Sequence, residues 1–397
     1  MSQVTSKHRA SVTSKADVVP PELGSWVAQQ LNVPETALVI RQIAGDASPR
    51  RYFRVARKQE GGLTSASSET PFELVFADAT HTDDSGSPRI LSETVIAVTS
   101  PVSANNDAFL QVQRTFDGGG LRVPAQFASD LDQGFFLMED FGDVLLSARL
   151  NPSTVDSLYP KALASLIQLT ELSISDTSLP RFDADRIAEE LQVFIDWFLL
   201  RHLELPGQTM PGAVWGDLVR HLTEGFLNQV QCVTHRDFHS RNIMCLKGDD
   251  LGLIDFQDAV VGPVTYDPVS LLKDCYVLWP RSNQLRWLEG YRGELLERNV
   301  AAPDAEHFVR DFDLVGPQRH LRVLGVFARL SLRDQKSGYL NDLPLVLSYT
   351  REVLSLYHHE APVGAFGDWF EDVVMPLVSR QEWYVAAQNG AVQADGS

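Results

Sequence analysis

The stretch "HRDFHSRN", residues 235 to 242, gathers two imidazoles, two guanidiniums, a carboxylate and an amide between apolar segments. Asp237 is followed five residues later by Asn242, and thirteen residues after that by Asp255 in "LIDFQDA". This pattern suits phosphoryl transfer. A carboxylate beside an incoming hydroxyl orients it and accepts its proton. An amide oxygen and a second carboxylate are hard ligands for Mg2+ held among phosphates. Asp237 is therefore the candidate base, and Asn242 and Asp255 the candidate metal ligands. His235 and Arg236 are expected to brace the loop through backbone carbonyls or a carboxylate. The same residues also read as a polar loop with capping aspartates, and H-x-D-x-x-x-x-N alone is a weak signal. An aspartate on an apolar strand behind it, and a β-rich region ahead of it, make it specific.

The surrounding elements must hold these groups together. "NIMCL", the turn "KGDD" and "LGLIDF" read as a hairpin. Its arms, roughly 5 Å apart, would bring Asn242 and Asp255 side by side. Residues 36 to 140 read as short strands, with "ETALVIRQIA" and "RYFRVARK" flanking Gly45-Asp46-Ala47-Ser48-Pro49, and "PFELVFAD" as a third strand. Phe109, Val112, Gln113 and Phe116 share a helical face that Gly118 to Gly120 terminate. "GFFLMEDFGD" is an apolar strand that runs into an acidic turn. Beyond about residue 144 the chain is mostly helical. "DADRIAEELQVFIDWFLLRHL" shows this best, with Asp183 as N-cap and Ile187, Leu191, Phe194, Ile195 and Phe198 on one stripe. Leu321, Leu324, Phe327 and Ala328 have core spacing, and Gln318, Arg319 and Arg322 between them are expected at the surface.

The expected fold is α+β and bilobal. Residues 1–20 form a flexible tail and 21–142 a small β-rich N-terminal lobe. A hinge lies near Glu139–Gly142, and 143–390 form a larger helical lobe. A net charge of −18 leaves no basic field for nucleic acid. No run of eighteen apolar residues spans a membrane and no apolar leader opens the chain, so a cytoplasmic protein is expected, and it is taken as a monomer. Cys232, Cys245 and Cys275 have no C-x-x-C spacing and are expected as buried thiols.

The chain resembles the aminoglycoside phosphotransferase/choline kinase superfamily, whose bilobal fold is similar to that of protein kinases. "HRDFHSRN" looks like its catalytic loop and "IDFQDA" like its metal-binding strand end. No glycine follows Asp255-Phe256 and no A-P-E segment appears, which argues against a protein substrate. "GDASPRRYFRV", "IDFQDAVVGPVTYDPVSLLKDCYVLW" and "GPQRHLRVLGVFARLSLRDQKSGYL" further resemble bacterial anomeric kinases of N-acetylmuramate and N-acetylglucosamine, over residues 36 to 350. The resemblance implies ATP- and Mg2+-dependent transfer to the C1 hydroxyl of a free amino sugar in cell-wall recycling.

On that reading Gly45, Asp46, Ala47, Ser48 and Arg51 cover the phosphates, and the backbone of Glu139 and Phe141 meets the adenine. The third strand offers Ala77 and Asp78 where kinases carry a lysine; Arg51, Arg54 and Lys58 are the candidates to stand in, and without one the protein would be a nucleotide-binding pseudokinase. "VVGPVTYDPVSLL" is expected to lead directly into a helix, with Asp267 as its N-cap or a ligand and Asp274 seven residues on along the same face. The residues expected to face the sugar are His239, Arg241, Gln257, Tyr266, Lys273 and Asp274. Long-range repulsion of an acidic sugar is screened beyond roughly 8 Å, so contact residues decide affinity. Lys273 is favoured over Arg241 for a lactyl carboxylate. A kinase of aminoglycosides or other amines and alcohols, or a nucleotide-binding pseudokinase, are the alternatives.

Overall fold

Strand β2 (Arg51–Arg57) buries Phe53 and Val55 completely and leaves Tyr52 and Arg54 half-buried, the alternation of a one-sided strand. It pairs antiparallel with β1 (Leu38–Gln42) on one side and with β5 (Thr94–Thr99) on the other. Strands β7 (Phe135–Glu139) and β6 (Gln126–Asp130) complete a sheet of order β1-β2-β5-β7-β6. Leu23, Trp26 and Val27 of helix α1 (Pro21–Gln30) join Phe53, Val55, Val95, Ala97 and Leu137 in one core. Each large apolar side chain buried there contributes roughly 1.5–3 kcal/mol. A one-residue slip would turn the set to solvent, so register is fixed.

The computed structural model describes residues 19–43, 49–58, 72–75, 89–175, 177–209 and 211–385. Gly45, Asp46, Ala47, Ser48, Ala77, Asp78 and residues 1–18 of the expected tail lie outside them. Val19 packs against the small core, one residue before the expected end of the tail. The segment read as the third strand is a strand over Phe72–Val75. Strand β3 (Phe72–Val75) pairs with β4 (Arg89–Ser92) in a separate two-stranded sheet, and the place beside β2 belongs to β5. Strand β5 carries no lysine or arginine either, so the question of what replaces the strand lysine moves there unchanged.

The chain divides into two units, Met1–Asp107 with Pro124–Asp140, and Ala108–Val123 with Phe141–Ser397. The expected contiguous block 21–142 therefore loses residues 108–123. They include most of α2 (Asn106–Gly118), whose Phe109 stacks on Phe256 and whose Phe116 meets the same ring tilted.

In the larger unit α3 (Leu146–Arg149), α4 (Val155–Glu171), α5 (Ala184–Val193) and α6 (Gly212–Leu227) precede the loop. Asp183 caps α5 by accepting from the Arg186 N–H, and the helix continues as a π-helical stretch over Phe194–His202. Strand β8 (Gln231–Thr234) enters the loop, and β9 (Ile243–Cys245) and β10 (Leu251–Leu253) form the expected hairpin, with Ile243 opposite Leu253. Residues 260–263 do not run straight into a helix. They form β11 (Val260–Pro263), paired with β8, before α7 (Tyr266–Leu272).

Helices α8 (Arg281–Glu297), α9 (Ala305–Asp334), α10 (Leu343–Leu356), α11 (Ala361–Trp369) and α12 (Met375–Val378) follow. Leu321, Leu324, Phe327 and Ala328 of α9 are buried as their spacing predicts. Gly325 lets α9 approach the π-helical stretch: a Cβ there would stand 2.4 Å from the Val193 carbonyl oxygen. The three cysteines are buried and unpaired, as expected. Among the described residues no helix is long and apolar enough to cross a membrane.

Candidate active site

The loop after β8 is held by carboxylates that come from after the hairpin. Asp267 accepts from the backbone N–H groups of His235 (2.6 Å) and Arg236 (2.9 Å). Asp274 accepts from those of Ser240 (2.9 Å) and Tyr276 (3.0 Å). The loop's backbone donors are thus satisfied by side chains more than thirty residues away. Burial pushes the Asp267 carboxyl up to about 7, against the pull of its two N–H donors. Arg236 takes a positive φ of 76°, a sparsely populated conformation held by its surroundings.

His235 is buried and its Nε2 lies 3.1 Å from the Ile254 carbonyl, which makes that nitrogen the donor. Burial pushes it down to about 4, so it is a neutral brace between the loop and the hairpin. Arg236 pairs with Glu190 of α5 at 2.5 Å. The expectation that these two residues brace the loop describes what they do.

Asp237 keeps 23% of its side chain exposed and faces Arg322 of α9, 3.6 Å away. Burial alone would raise its carboxyl, but Arg322, then Arg236 and His239, hold it well below the usual carboxylate range. Glu190 collects the donors around it: the Arg322 guanidinium at 3.4 Å and the Gln318 amide Nε2 at 3.1 Å, besides Arg236. Gln318, Arg319 and Arg322 are therefore not the surface residues their polarity suggested. Gln318 and Arg319 are buried, and Arg319 donates to Ser270 Oγ at 2.8 Å. The signal available in sequence was polar groups placed on the apolar face of a long helix.

Asn242 Nδ2 donates to the Asp237 carbonyl (3.0 Å) and lies 3.4 Å from Asp255 Oδ2. The Ile254 N–H donates to the Asn242 carbonyl, continuing the hairpin beyond its ladder. Asp255 has a positive φ of 63°, which turns it out of the strand. Gln257 Nε2 donates to Asp255 Oδ1 (2.7 Å), while Gln257 Oε1 is buried without a partner. A carboxylate, an amide and an orphaned amide oxygen are the donor chemistry that Mg2+ takes. Among the described residues no group of three or more His, Cys, Asp or Glu forms a closed metal cage. Any Mg2+ here would need ligands from a substrate as well.

Three residues expected at the sugar are elsewhere. Helix α7 ends at Leu272, so Asp267 and Asp274 do not share a helical face; both brace the loop instead. Tyr266 is fully buried against Phe182 and Phe226. Lys273 is fully buried, with Nζ 2.9 Å from Asp313, which also accepts from Arg281 (3.0 Å) and Tyr357 (3.0 Å). It faces the interior because a buried Asp313 requires cations. Lys273→Met should therefore destabilise the protein, though by less than the roughly 3–5 kcal/mol of a buried charge left alone, because Arg281 stays on Asp313. Its effect on any two sugars should be equal. A urea titration checks this, and an unchanged midpoint would refute it.

His239, Arg241 and Gln257 do lie by the loop. His239 meets Tyr276 edge-on at 5.3 Å, and the Arg241 guanidinium lies over the same ring at 3.6 Å.

In the smaller unit, the Glu139 N–H donates to the Ala125 carbonyl. Arg51 donates to Gln42, and Arg54 pairs with Asp140 at 2.5 Å. Lys58 lines a concavity of about 590 Å3 with Arg41, Arg54 and Arg57. Phe141, in the larger unit, packs its ring on Gly252 and under Arg122.

A family model described as "Phosphotransferase enzyme family" matches residues 39–308. An N-acetylmuramate/N-acetylglucosamine kinase of Pseudomonas aeruginosa is 35% identical over 335 residues, covering 84% of this chain and 88% of its own length. The kinase of the same name from Neisseria meningitidis serogroup B is 33% identical over 350 residues, 87% of this chain and 93% of that protein. Among solved structures, an ethanolamine kinase of Plasmodium vivax covers 79% of this chain and 82% of its own, with a TM-score of 0.52 at 11% identity. A choline kinase of Streptococcus pneumoniae covers 83% and 98%, with a TM-score of 0.51 at 11% identity. These two likenesses establish the kinase-like fold alone.

Proposed function

The chain belongs to the phosphotransferase enzyme family, and we propose that it transfers the γ-phosphoryl group of ATP to the C1 hydroxyl of N-acetylmuramate and N-acetylglucosamine. The observation that carries the chemistry is the convergence of an ionised Asp237 with the Asn242–Asp255 pair at the end of one hairpin. The substrate is supported by the names of relatives 33–35% identical over most of the chain. In the reaction the C1 oxygen bonds to phosphorus as the bond to the β-phosphate oxygen breaks. The hydroxyl proton passes to Asp237, and ADP leaves. Asn242 and Asp255, with Gln257 beside them, would hold Mg2+, which neutralises phosphate charge when bound.

A cationic amine is the weaker substrate class. The overall charge is acidic, but Arg236, Arg319 and Arg322 all act on Asp237 from close by. A carboxylate that already faces Arg322 at 3.6 Å has less to offer an ammonium group.

An ADP-release assay on a panel of sugars, aminoglycosides and choline tests the proposal. Turnover is expected with the two N-acetylated sugars only, and only with Mg2+ present. Transfer to C1 consumes the hemiacetal, so reducing-sugar reactivity should fall in step with ADP formed. ADP release with reducing reactivity retained would place the phosphate on another hydroxyl. Turnover of an aminoglycoside and no sugar would replace the proposal.

A further inference from the structure

We propose that Arg241 recognises a carboxylate on the substrate and so sets the preference for an acidic amino sugar over its neutral counterpart. The inference rests on the sugar-kinase reading above. Neighbouring side chains diverge at this point of the loop. Asn242 turns towards the Asp237 carbonyl and Asp255, whereas the Arg241 guanidinium carbon lies 3.6 Å from the centroid of the Tyr276 ring.

Stacking on a ring face fixes the guanidinium plane but leaves its in-plane N–H donors unspent. Among the described residues no carboxylate comes within ion-pairing distance of it. Asp342 acts on it only from farther away. Arg236 and Arg322 are tied to Glu190, and Arg319 donates to Ser270. Arg241 alone of these four is exposed.

The ring that carries it belongs to an aromatic wall. Tyr276 meets His239 on one side and stacks with Phe327 at 6.5 Å, and Phe327 lies 5.0 Å from Tyr339. Such a wall with a few directed polar groups is the composition of a small-molecule pocket. A pre-oriented fork matches a planar carboxylate bidentately. Lys273, the other residue that the sequence suggests for a carboxylate, is committed to Asp313.

The other anion within this chemistry is a phosphate oxygen of the nucleotide, and the test separates the two. Arg241→Gln and Arg241→Lys, in the full chain, are assayed with N-acetylmuramate and with N-acetylglucosamine, and KM for ATP is measured with each. The glutamine variant should lower the ratio of kcat/KM for the acidic sugar over the neutral one by roughly ten- to a hundredfold. The lysine variant should restore part of that ratio, because it keeps the charge and loses the fork. A raised KM for ATP with an unchanged sugar ratio would assign Arg241 to the nucleotide and overturn the proposal. So would a ratio unmoved in both variants. A parent enzyme that turns over neither sugar would instead refute the sugar-kinase reading, and this inference with it.

Discussion

Asp237→Asn is expected to lower kcat by roughly 10²–10⁴-fold, the range of a positioned acid–base group, while fold and nucleotide binding persist. The amide keeps the shape of the carboxylate but cannot take the hydroxyl's proton. The fold should survive because Arg322, which faces Asp237 at 3.6 Å, also contacts Glu190 at 3.4 Å, so removing one charge leaves it paired. The same arginine lowers the basicity of Asp237, which stays ionised but accepts a proton reluctantly. Its contribution therefore lies in orienting the C1 hydroxyl and receiving the proton late, as the oxygen–phosphorus bond forms. Single-turnover kinetics at saturating ATP and sugar read the chemical step directly. A rate within about threefold of the parent, well short of the expected range, would remove Asp237 from the role of base.

What was legible in the sequence was local. The hairpin from Ile243 to Leu253, the Asp183 cap and the apolar stripe through Leu321 and Phe327 each follow from periodicity and turn chemistry within a few residues. The triad Asp237, Asn242 and Asp255 was legible for the same reason, since one loop and one hairpin carry all three. The errors came from partners far apart in the chain. Asp267 looked like the cap of its own helix because nothing local marks a carboxylate that reaches the N–H groups of His235 and Arg236. Lys273 looked exposed because its partner Asp313 is forty residues on.

The backbone departures were also hidden. Neither Arg236 nor Asp255 is a residue type that advertises a positive φ as glycine does, although Asp tolerates it. Both are held there by neighbours that the sequence does not identify. Glu190 was the largest omission. It reads as one more acidic residue of an amphipathic helix, yet it gathers Arg236, Gln318 and Arg322, the last of which faces Asp237.

The Asp255 position tests the other half of the site. Asp255→Ala should abolish productive Mg·ATP turnover, and should do so more severely than Asn242→Ala. Removing groups that merely orient metal ligands costs about 10–100-fold, and loss of a carboxylate ligand should exceed that. The order follows from charge: a carboxylate neutralises the cation, whereas an amide oxygen offers a dipole. It follows from geometry too. Asn242 also donates to the Asp237 carbonyl at 3.0 Å, so its loss should disturb the base as well as the metal. Asp255 accepts from the two amides at the hairpin's end that would share the metal with it, Asn242 at 3.4 Å and Gln257 at 2.7 Å. Its removal should therefore appear chiefly as altered metal dependence. The Mg2+ concentration for half-maximal turnover should rise steeply in Asp255→Ala, and less in Asn242→Ala, whose kcat should stay depressed at saturating Mg2+. Titrating Mg2+ against each variant at fixed ATP distinguishes the two patterns. Parent-like metal dependence in both variants would mean that the hairpin's end holds no metal and that Asp255 serves only to fix the turn.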